Sequence, residues 1–105
     1  TSGLSLKDKT GIPSQYALYQ NYPNPFNPVT TLRYDIPEDG LVNVTIYDMM
    51  GRGVKTLVNS LQTAGNSTIQ WNATNNQGQL VSAGVYLYQI QAREYISTKK
   101  MMLLK

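Results

Sequence analysis

Apolar and polar side chains alternate along Leu32-Arg33-Tyr34-Asp35-Ile36 and again along Val42-Asn43-Val44-Thr45-Ile46. Alternation at a period of two puts successive side chains on opposite faces of an extended chain, so the sequence predicts two strands, each with one buried face. Between them stands Pro37-Glu38-Asp39-Gly40, where proline fixes φ and glycine accepts positive φ. We therefore expect a β-hairpin.

Comparable short runs recur along the rest of the chain, with turn-forming clusters between them. None has helical periodicity, so we expect no helix. Regularly spaced short strands separated by turns are typical of an all-β antiparallel sandwich. The predicted strands are seven: Tyr16–Gln20, Thr30–Ile36, Val42–Tyr47, Val54–Val58, Ser67–Trp71, Val85–Gln91 and Tyr95–Leu103.

The run at residues 85–90 has large side chains on both faces, which predicts a central strand. We expect its face with Tyr86, Tyr88 and Ile90 to point inward, because bulky side chains fill the gap of about 10 Å between packed sheets. The predicted core residues are Leu32, Tyr34, Val44, Ile46, Ile69, Trp71, Tyr86 and Tyr88.

The composition excludes several classes of function. A chain of 105 residues forms at most one domain, and it has no cysteine and no histidine. Disulfides, thiolate metal sites and imidazole general bases are therefore ruled out. The net charge of +3 lacks the spread of basic residues that nucleic acid requires. The longest apolar run, residues 101–104, is far short of the roughly 20 residues that cross a bilayer. We expect a monomer without a transmembrane segment.

Carboxylates offer the remaining route to catalysis or metal binding. Each has an ordinary structural explanation, in a turn, at a corner or on the polar side of a strand, and no glycine-rich loop precedes a helix. We therefore predict that the domain is not an enzyme and has no catalytic, cofactor-binding or metal-binding residues. The acidic residues are Asp8, Asp35, Glu38, Asp39, Asp48 and Glu94.

Aromatic side chains suggest a different function. Trp71 with Tyr86 and Tyr88 could form a sugar-stacking platform, but their strand periodicity favours the core. The alternative that stays open is a carbohydrate-binding or adhesin-type module whose ligand contacts Tyr19 or Tyr22. Together with Tyr16 and Phe26, these rings could instead cover an open edge of the sandwich.

The beginning of the chain divides into two parts. Residues 1–15 are polar without periodicity, which predicts a linker from an upstream cargo domain, and residues 16–105 form the domain itself. The domain opens with a proline–asparagine segment, residues 21–28, that cannot be helical because its prolines remove backbone donors and restrict their neighbours. Its residues are Asn21, Tyr22, Pro23, Asn24, Pro25, Phe26, Asn27 and Pro28.

The end of the chain is Lys99-Lys100-Met101-Met102-Leu103-Leu104-Lys105. One interpretation is a last strand whose lysines protect a sheet edge. The other is a docking peptide that adds to a partner's sheet while its side chains select the partner. Residue chemistry leaves the two interpretations open. Under the docking interpretation, we expect the domain to stay folded when residues 102–105 are removed.

These elements, taken together, resemble the C-terminal sorting domains of the type IX (Por) secretion system, type A group, which are similar to the immunoglobulin-like domain of flagellar hook-capping proteins. The resemblance covers about residues 18–105. It rests on the proline–asparagine segment with Thr30, on residues 34–37, on residues 46–52 with Val54, on residues 64–65, 71–72 and 82–86 with Gly78, and on residues 99–101. The chain departs from the family pattern at Asn72, Asn75 and Gly53.

The resemblance implies an immunoglobulin-like antiparallel β-sandwich of about seven strands and a role as a targeting domain. Members direct an N-terminal cargo through the periplasm to the outer-membrane translocon and on to the cell surface or the medium. A sortase-like peptidase often removes the domain, and the cargo can be anchored. The implied translocon-recognition residues are Lys99, Lys100, Met101, Leu103 and Lys105.

Overall fold

The computed structural model describes residues 12–104, and every regular element in that range is a β-strand. Most of the predicted linker, as well as Lys105, lies outside the described residues. Within the described range there is no helix with the length and apolar character needed to cross a membrane. The prediction of an all-β fold is confirmed. The strands are β1 (Ala17–Leu18), β2 (Thr30–Ile36), β3 (Gly40–Asp48), β4 (Gly53–Gln62), β5 (Gly65–Trp71), β6 (Gly84–Ala92) and β7 (Tyr95–Leu103).

The strands form two antiparallel sheets. One sheet has the order β1-β2-β5, and the other has the order β4-β3-β6-β7. β3 and β4 pair through the corner at residues 49–52, and β6 and β7 pair through the turn at residues 93–94. β6 lies between β3 and β7. This confirms the central position that its two large-residue faces predict.

The hairpin predicted for residues 32–46 is wrong. β2 pairs with β1 and β5, whereas β3 pairs with β4 and β6, so residues 37–39 cross from one sheet to the other. The crossing is held by Asp39, whose Oδ1 accepts from the Ala64 amide at 2.8 Å and whose carbonyl accepts from the Arg93 guanidinium at 2.7 Å. Turn residues such as proline and glycine occur both in hairpins and in connections between sheets, so they do not predict which one forms. Here the buried faces of β2 and β3 pack toward each other across the sandwich.

The core lies between the sheets and largely follows the predicted alternation. Seven of the eight predicted core side chains are buried, whereas Ile69 is only partly buried because it lies on β5, an edge strand of the smaller sheet. Trp71 lies at the centre of the aromatic packing, with the Tyr86 ring 5.4 Å away in an edge-to-face arrangement. Core side chains that the alternation did not single out include Phe26, Met101 and Leu103.

Strand lengths differ from prediction at the sheet edges. β1 has two residues instead of five. The Tyr19 amide still donates to the Arg33 carbonyl of β2, but the Tyr19 carbonyl accepts from the Tyr88 hydroxyl and the Gln20 side chain donates to β7. β4 continues four residues past the predicted end at Val58, although residues 59–61 are all exposed. An exposed edge strand lacks the alternation that marks a half-buried one, so its end could not be located from hydrophobicity.

Candidate functional site

The proline–asparagine segment lies along the free edge of β7. The Phe26 amide donates to the Met102 carbonyl at 3.0 Å, and the Leu104 amide donates to the Phe26 carbonyl at 2.8 Å. These bonds form a parallel bridge between Phe26 and Leu103. Asn24 Oδ1 accepts from the Met102 amide at 3.0 Å. The two ends of the domain that stood out in the sequence are therefore one continuous surface.

Phe26 anchors the segment in the core. Its side chain is 1% exposed, and its ring centroid lies 5.8 Å from that of Trp71. Full burial of an aromatic side chain stabilises by roughly 1.5–3 kcal/mol relative to exposure. The prediction that the rings of this segment pack onto the sandwich holds for Phe26, whereas Tyr22 is 80% exposed.

Asn21 forms the second anchor. Its backbone amide donates to the Tyr88 hydroxyl at 2.8 Å, and its side-chain amide donates to Thr30 Oγ1 at 2.9 Å and to the Pro23 carbonyl at 3.1 Å. The Tyr88 hydroxyl in turn donates to the Tyr19 carbonyl at 2.8 Å. Burial raises the pKa of Tyr88 to about 12, and the hydrogen bond from the Asn21 amide opposes the shift in part. The Tyr88 hydroxyl thus stays protonated and holds the start of the segment against the core through these two hydrogen bonds.

The predicted recognition residues separate into two groups. Lys100 is exposed and Lys99 is partly buried, whereas Met101 and Leu103 are each 1% exposed and belong to the core. The fifth residue, Lys105, lies outside the described residues. In the folded domain, the side chains of Met101 and Leu103 stabilise the sandwich and present no surface to a partner.

This burial argues against the expectation that residues 102–105 can be removed without unfolding. Leu103 pairs with Gly84 in β6 and bridges Phe26 on the other side. Removing it would leave a hole in the core and release the proline–asparagine segment. Strand alternation could have predicted this burial, because only every second residue of the run Met101, Met102, Leu103 and Leu104 can face inward.

The solvent-facing surface at the end of β7 combines apolar side chains with positive charge. A shallow depression of about 190 Å³ is lined by Asn24, Val85, Lys100, Met101 and Met102. Tyr22, Met102 and Leu104 remain substantially exposed around it. Within residues 12–104 the salt bridges join Arg52 to Asp48 and Arg93 to Glu38, so neither Lys99 nor Lys100 is neutralised by a carboxylate. We call this region the tail surface: Tyr22, Asn24, Val85, Lys100, Met102 and Leu104. Lys99 lies on the other face of β7, in the same alternation phase as Met101 and Leu103.

Sequence reasoning missed the residues that join the segment to the strand. Gln20 Nε2 donates to the Lys100 carbonyl at 2.8 Å, and Asn24 contacts Met102. These partners are 80 and 78 positions apart. A contact over this sequence distance leaves no local sequence pattern. The one available signal was the asparagine content of the segment, because asparagine side chains often hydrogen-bond to backbone groups.

The carboxylates of the described residues are dispersed and hydrogen-bonded. Asp35 is buried and accepts from the Tyr19 hydroxyl and from Asn66 Nδ2. Asp48 Oδ1 accepts from the amides of Met50 and Arg52, and the bond from the Arg52 amide is the main cause that lowers the pKa of Asp48. In residues 12–104 no three acidic, histidine or cysteine side chains come together to hold a metal ion.

The prediction that Trp71, Tyr86 and Tyr88 belong to the core, and do not form a sugar platform, is confirmed, because all three side chains are at most 7% exposed. They face the other sheet, as their periodicity favoured. In the leading segment, Tyr19 and Tyr22 are both accessible, and Arg33 lies 4.8 Å from the centre of the Tyr19 ring in a cation–π contact.

Comparison with known proteins identifies the family to which the fold belongs. The FlgD Ig-like domain family matches residues 29–95, which is more than half of the chain. The chain belongs to the FlgD Ig-like domain family. The immunoglobulin-like sandwich of seven strands predicted from the sequence is thereby confirmed. A comparison with curated protein sequences finds no match.

Solved structures give the same fold in two settings. Dimeric latent PorU from Porphyromonas gingivalis is similar at 25% identity with a TM-score of 0.70, over 88% of this chain and 9% of PorU. PorZ, a surface component of the type IX secretion system of the same organism, is 21% identical with a TM-score of 0.60, over 85% of this chain and 12% of PorZ. FlgD from Xanthomonas campestris, a hook-capping protein, is 22% identical with a TM-score of 0.57, over 87% of this chain and 63% of FlgD. The chain thus spans a small part of PorU and of PorZ.

Proposed function

We propose that this domain is a non-catalytic C-terminal sorting domain of the type IX secretion system, of the type A group. It directs an N-terminal cargo through the periplasm to the outer-membrane translocon, and the cargo reaches the cell surface or the medium. A sortase-like peptidase is the second partner. The observation that carries the proposal is the joining of the proline–asparagine segment to the C-terminal strand in one exposed surface.

The tail surface has the properties of a recognition site. Lys100 has no carboxylate partner within residues 12–104, and the exposed Met102, Leu104 and Tyr22 offer apolar area in the same region. The likeness to PorU, at 25% identity over most of this chain, supports a type IX setting. The absence of cysteine and histidine supports a role without catalysis.

The experiment fuses residues 1–105 to an exported reporter in a host with a type IX system. Lys99→Ala and Lys100→Ala, singly and together, are expected to retain the reporter in the periplasm. Surface substitutions of this kind change stability by about ±0.5 kcal/mol at most, so the domain stays folded. Lys55→Ala is the matched control, because Lys55 lies on β4 at the opposite edge of the same sheet.

Folding of each variant is confirmed by its urea transition before secretion is scored. Secretion of the double lysine variant at the level of Lys55→Ala would place recognition elsewhere on the sandwich. Tyr22→Ala extends the test to the leading segment, and we expect it to reduce secretion if both halves of the tail surface are contacted. Deleting residues 102–105 is unsuitable as a test, because it removes the buried Leu103.

A further inference from the structure

The outer face of the four-stranded sheet carries a second surface feature, remote in sequence from the proline–asparagine segment. A groove of about 850 Å³ runs across β4, β3 and β6. Its floor and walls include Asn43, Thr45, Tyr47, Thr56, Gln91 and Arg93. None of the tail-surface residues lines it.

The groove has a structural cause in the pairing of β3 with β4. The register shifts twice, between Val44 and Thr45 and between Ile46 and Tyr47. Each extra residue on a bulged strand bends it and increases its twist. The extra residues, Val54 and Leu57, are both on β4, so we expect β4 to bend and twist more strongly beside the groove than a regular edge strand.

The side chains in the groove are mostly uncharged hydrogen-bonding groups. The amides of Asn43 and Gln91 and the hydroxyls of Thr45 and Thr56 each both donate and accept. Thr45 is largely buried, and its Oγ1 donates to Asn43 Oδ1 at 2.7 Å, which orients that amide. The groove therefore combines partly preorganised, uncharged hydrogen-bonding groups with apolar surface that includes the exposed Leu41.

Among the described residues that line the groove, Arg93 is the one cation, and it is already engaged. The Arg93 guanidinium donates to the Asp39 carbonyl at 2.7 Å, and its Nε lies 3.6 Å from Glu38. A phosphate or nucleic acid ligand, which needs uncompensated positive charge, finds none here. A divalent cation would need several oxygen ligands that include carboxylates, and none of the carboxylates in residues 12–104 lines the groove.

An aromatic ring with open space beside it completes the groove. Tyr47 pairs across the strands with Gly53, which has no side chain to cover the ring. A Cβ at Gly53 would meet no atom within 4 Å. An amphipathic ring beside donors and acceptors suits a ligand with both apolar faces and neutral hydroxyl groups.

We propose that this groove binds a neutral oligosaccharide, with the sugar face against Tyr47 and its hydroxyls hydrogen-bonded to Asn43, Thr45, Thr56 and Gln91. The groove side chains and the sugar hydroxyls are both uncharged groups that donate and accept hydrogen bonds, so they complement each other. An extended peptide is a poorer occupant, because it gains its main-chain hydrogen bonds at a sheet edge and not on a sheet face. The site adds a glycan-binding function to the sorting role and does not depend on it.

The test titrates the ¹⁵N-labelled chain with neutral hexasaccharides of glucose, xylose, mannose and N-acetylglucosamine, followed by NMR. We expect at least one to shift the backbone amides of Asn43, Thr45, Thr56 and Gln91 in a saturable manner. Gly53→Gln is designed to fill the groove, and its open surroundings let the side chain enter without a clash. It is expected to weaken binding at least about tenfold, as is Tyr47→Ala.

Tyr22→Ala is the matched aromatic control, since Tyr22 is exposed on the proline–asparagine segment. Unchanged affinity in Tyr22→Ala together with loss in Gly53→Gln supports the groove. Loss only in Tyr22→Ala or Tyr19→Ala would move the glycan site to the leading segment and overturn the proposal. Failure of all four sugars to shift the groove amides also overturns it. Secretion of the reporter fused to Gly53→Gln is measured separately, and we expect normal export, so the two functions fail independently.

Discussion

Tyr88 shows how one hydroxyl ties the leading segment to the core. It donates to the Tyr19 carbonyl and accepts from the Asn21 amide, both at 2.8 Å, and its side chain is 0% exposed. A phenol on the core face of a central strand thus satisfies two backbone groups of an irregular segment. Buried backbone amides without partners are costly, so this hydroxyl allows the segment to enter the sandwich.

We expect Tyr88→Phe to destabilise the domain by about 1–3 kcal/mol, because the Asn21 amide loses its partner in a buried site. The substitution also changes the response to alkali. A folded pKa of about 12, against an unfolded value near 10, means that the contribution of Tyr88 is present below pH 10 and lost as the pH rises toward 12. Urea unfolding at pH 8, 10, 11 and 12 measures both effects.

In Tyr88→Phe, the loss of stability between pH 10 and 12 is expected to be smaller than in the parent chain. Burial also raises the pKa of Tyr34 and Tyr86, so part of the alkaline loss persists. Tyr22→Phe is the control, because its ring is 80% exposed. If the parent chain and Tyr88→Phe lose the same free energy of unfolding between pH 10 and 12, Tyr88 does not contribute to the alkaline loss of stability.

The proline–asparagine segment functions as an edge cover for β7. An exposed strand edge is a template for pairing with another chain, and proteins commonly cover such edges with a loop. Here the cover uses main-chain bonds at Phe26 and a side-chain bond at Asn24. Proline suits the task because it leaves few unpaired donors in a segment that bridges to the sheets at Tyr22 and Phe26 but forms no regular strand.

We expect Asn24→Ala to cost about 0.5–1.5 kcal/mol and to accelerate hydrogen exchange at the Met102 amide, which loses its acceptor. Asn27→Ala is the matched control, since Asn27 is exposed in the same segment and no side-chain hydrogen bond is seen for it within residues 12–104. Exchange at Met102 that is unchanged in Asn24→Ala, measured by NMR, would show that this bond does not protect the edge.

At the level of the whole domain, the C-terminus is a structural element and a surface at the same time. β7 closes the four-stranded sheet, and its inward residues Met101 and Leu103 complete the core beneath Phe26. The outward residues Lys100 and Met102 alternate with them. Any partner that reads the end of this chain therefore contacts alternate side chains of a folded strand.

We expect Leu103→Ala to destabilise the domain by about 2–5 kcal/mol, because it leaves a cavity between Phe26 and the sheet. Leu104→Ala, at a position 48% exposed, is expected to change stability by about 0.5 kcal/mol or less. Both are measured by urea unfolding. Equal effects of the two substitutions would mean that the last strand is not packed as described.

The sequence by itself determined the strands, the buried face of each central strand and the two ends of interest. Period-two alternation is a local property, and it is strong where one face is buried, as in β2, β3 and β6. It failed at β4, whose exposed residues carry no such pattern. The immunoglobulin-like class followed from the number of strands together with the family resemblance.

Only the tertiary structure decided which strands share a sheet, that Phe26 bridges Leu103, and that Asp35 is buried beside Asn66. These contacts join residues up to about 80 positions apart, and their partners are chosen by packing across the sandwich and not by neighbouring residues. The groove beside Tyr47 likewise depends on two register shifts that no local pattern reports. Local alternation specifies a face, whereas pairing and curvature depend on which other face it meets.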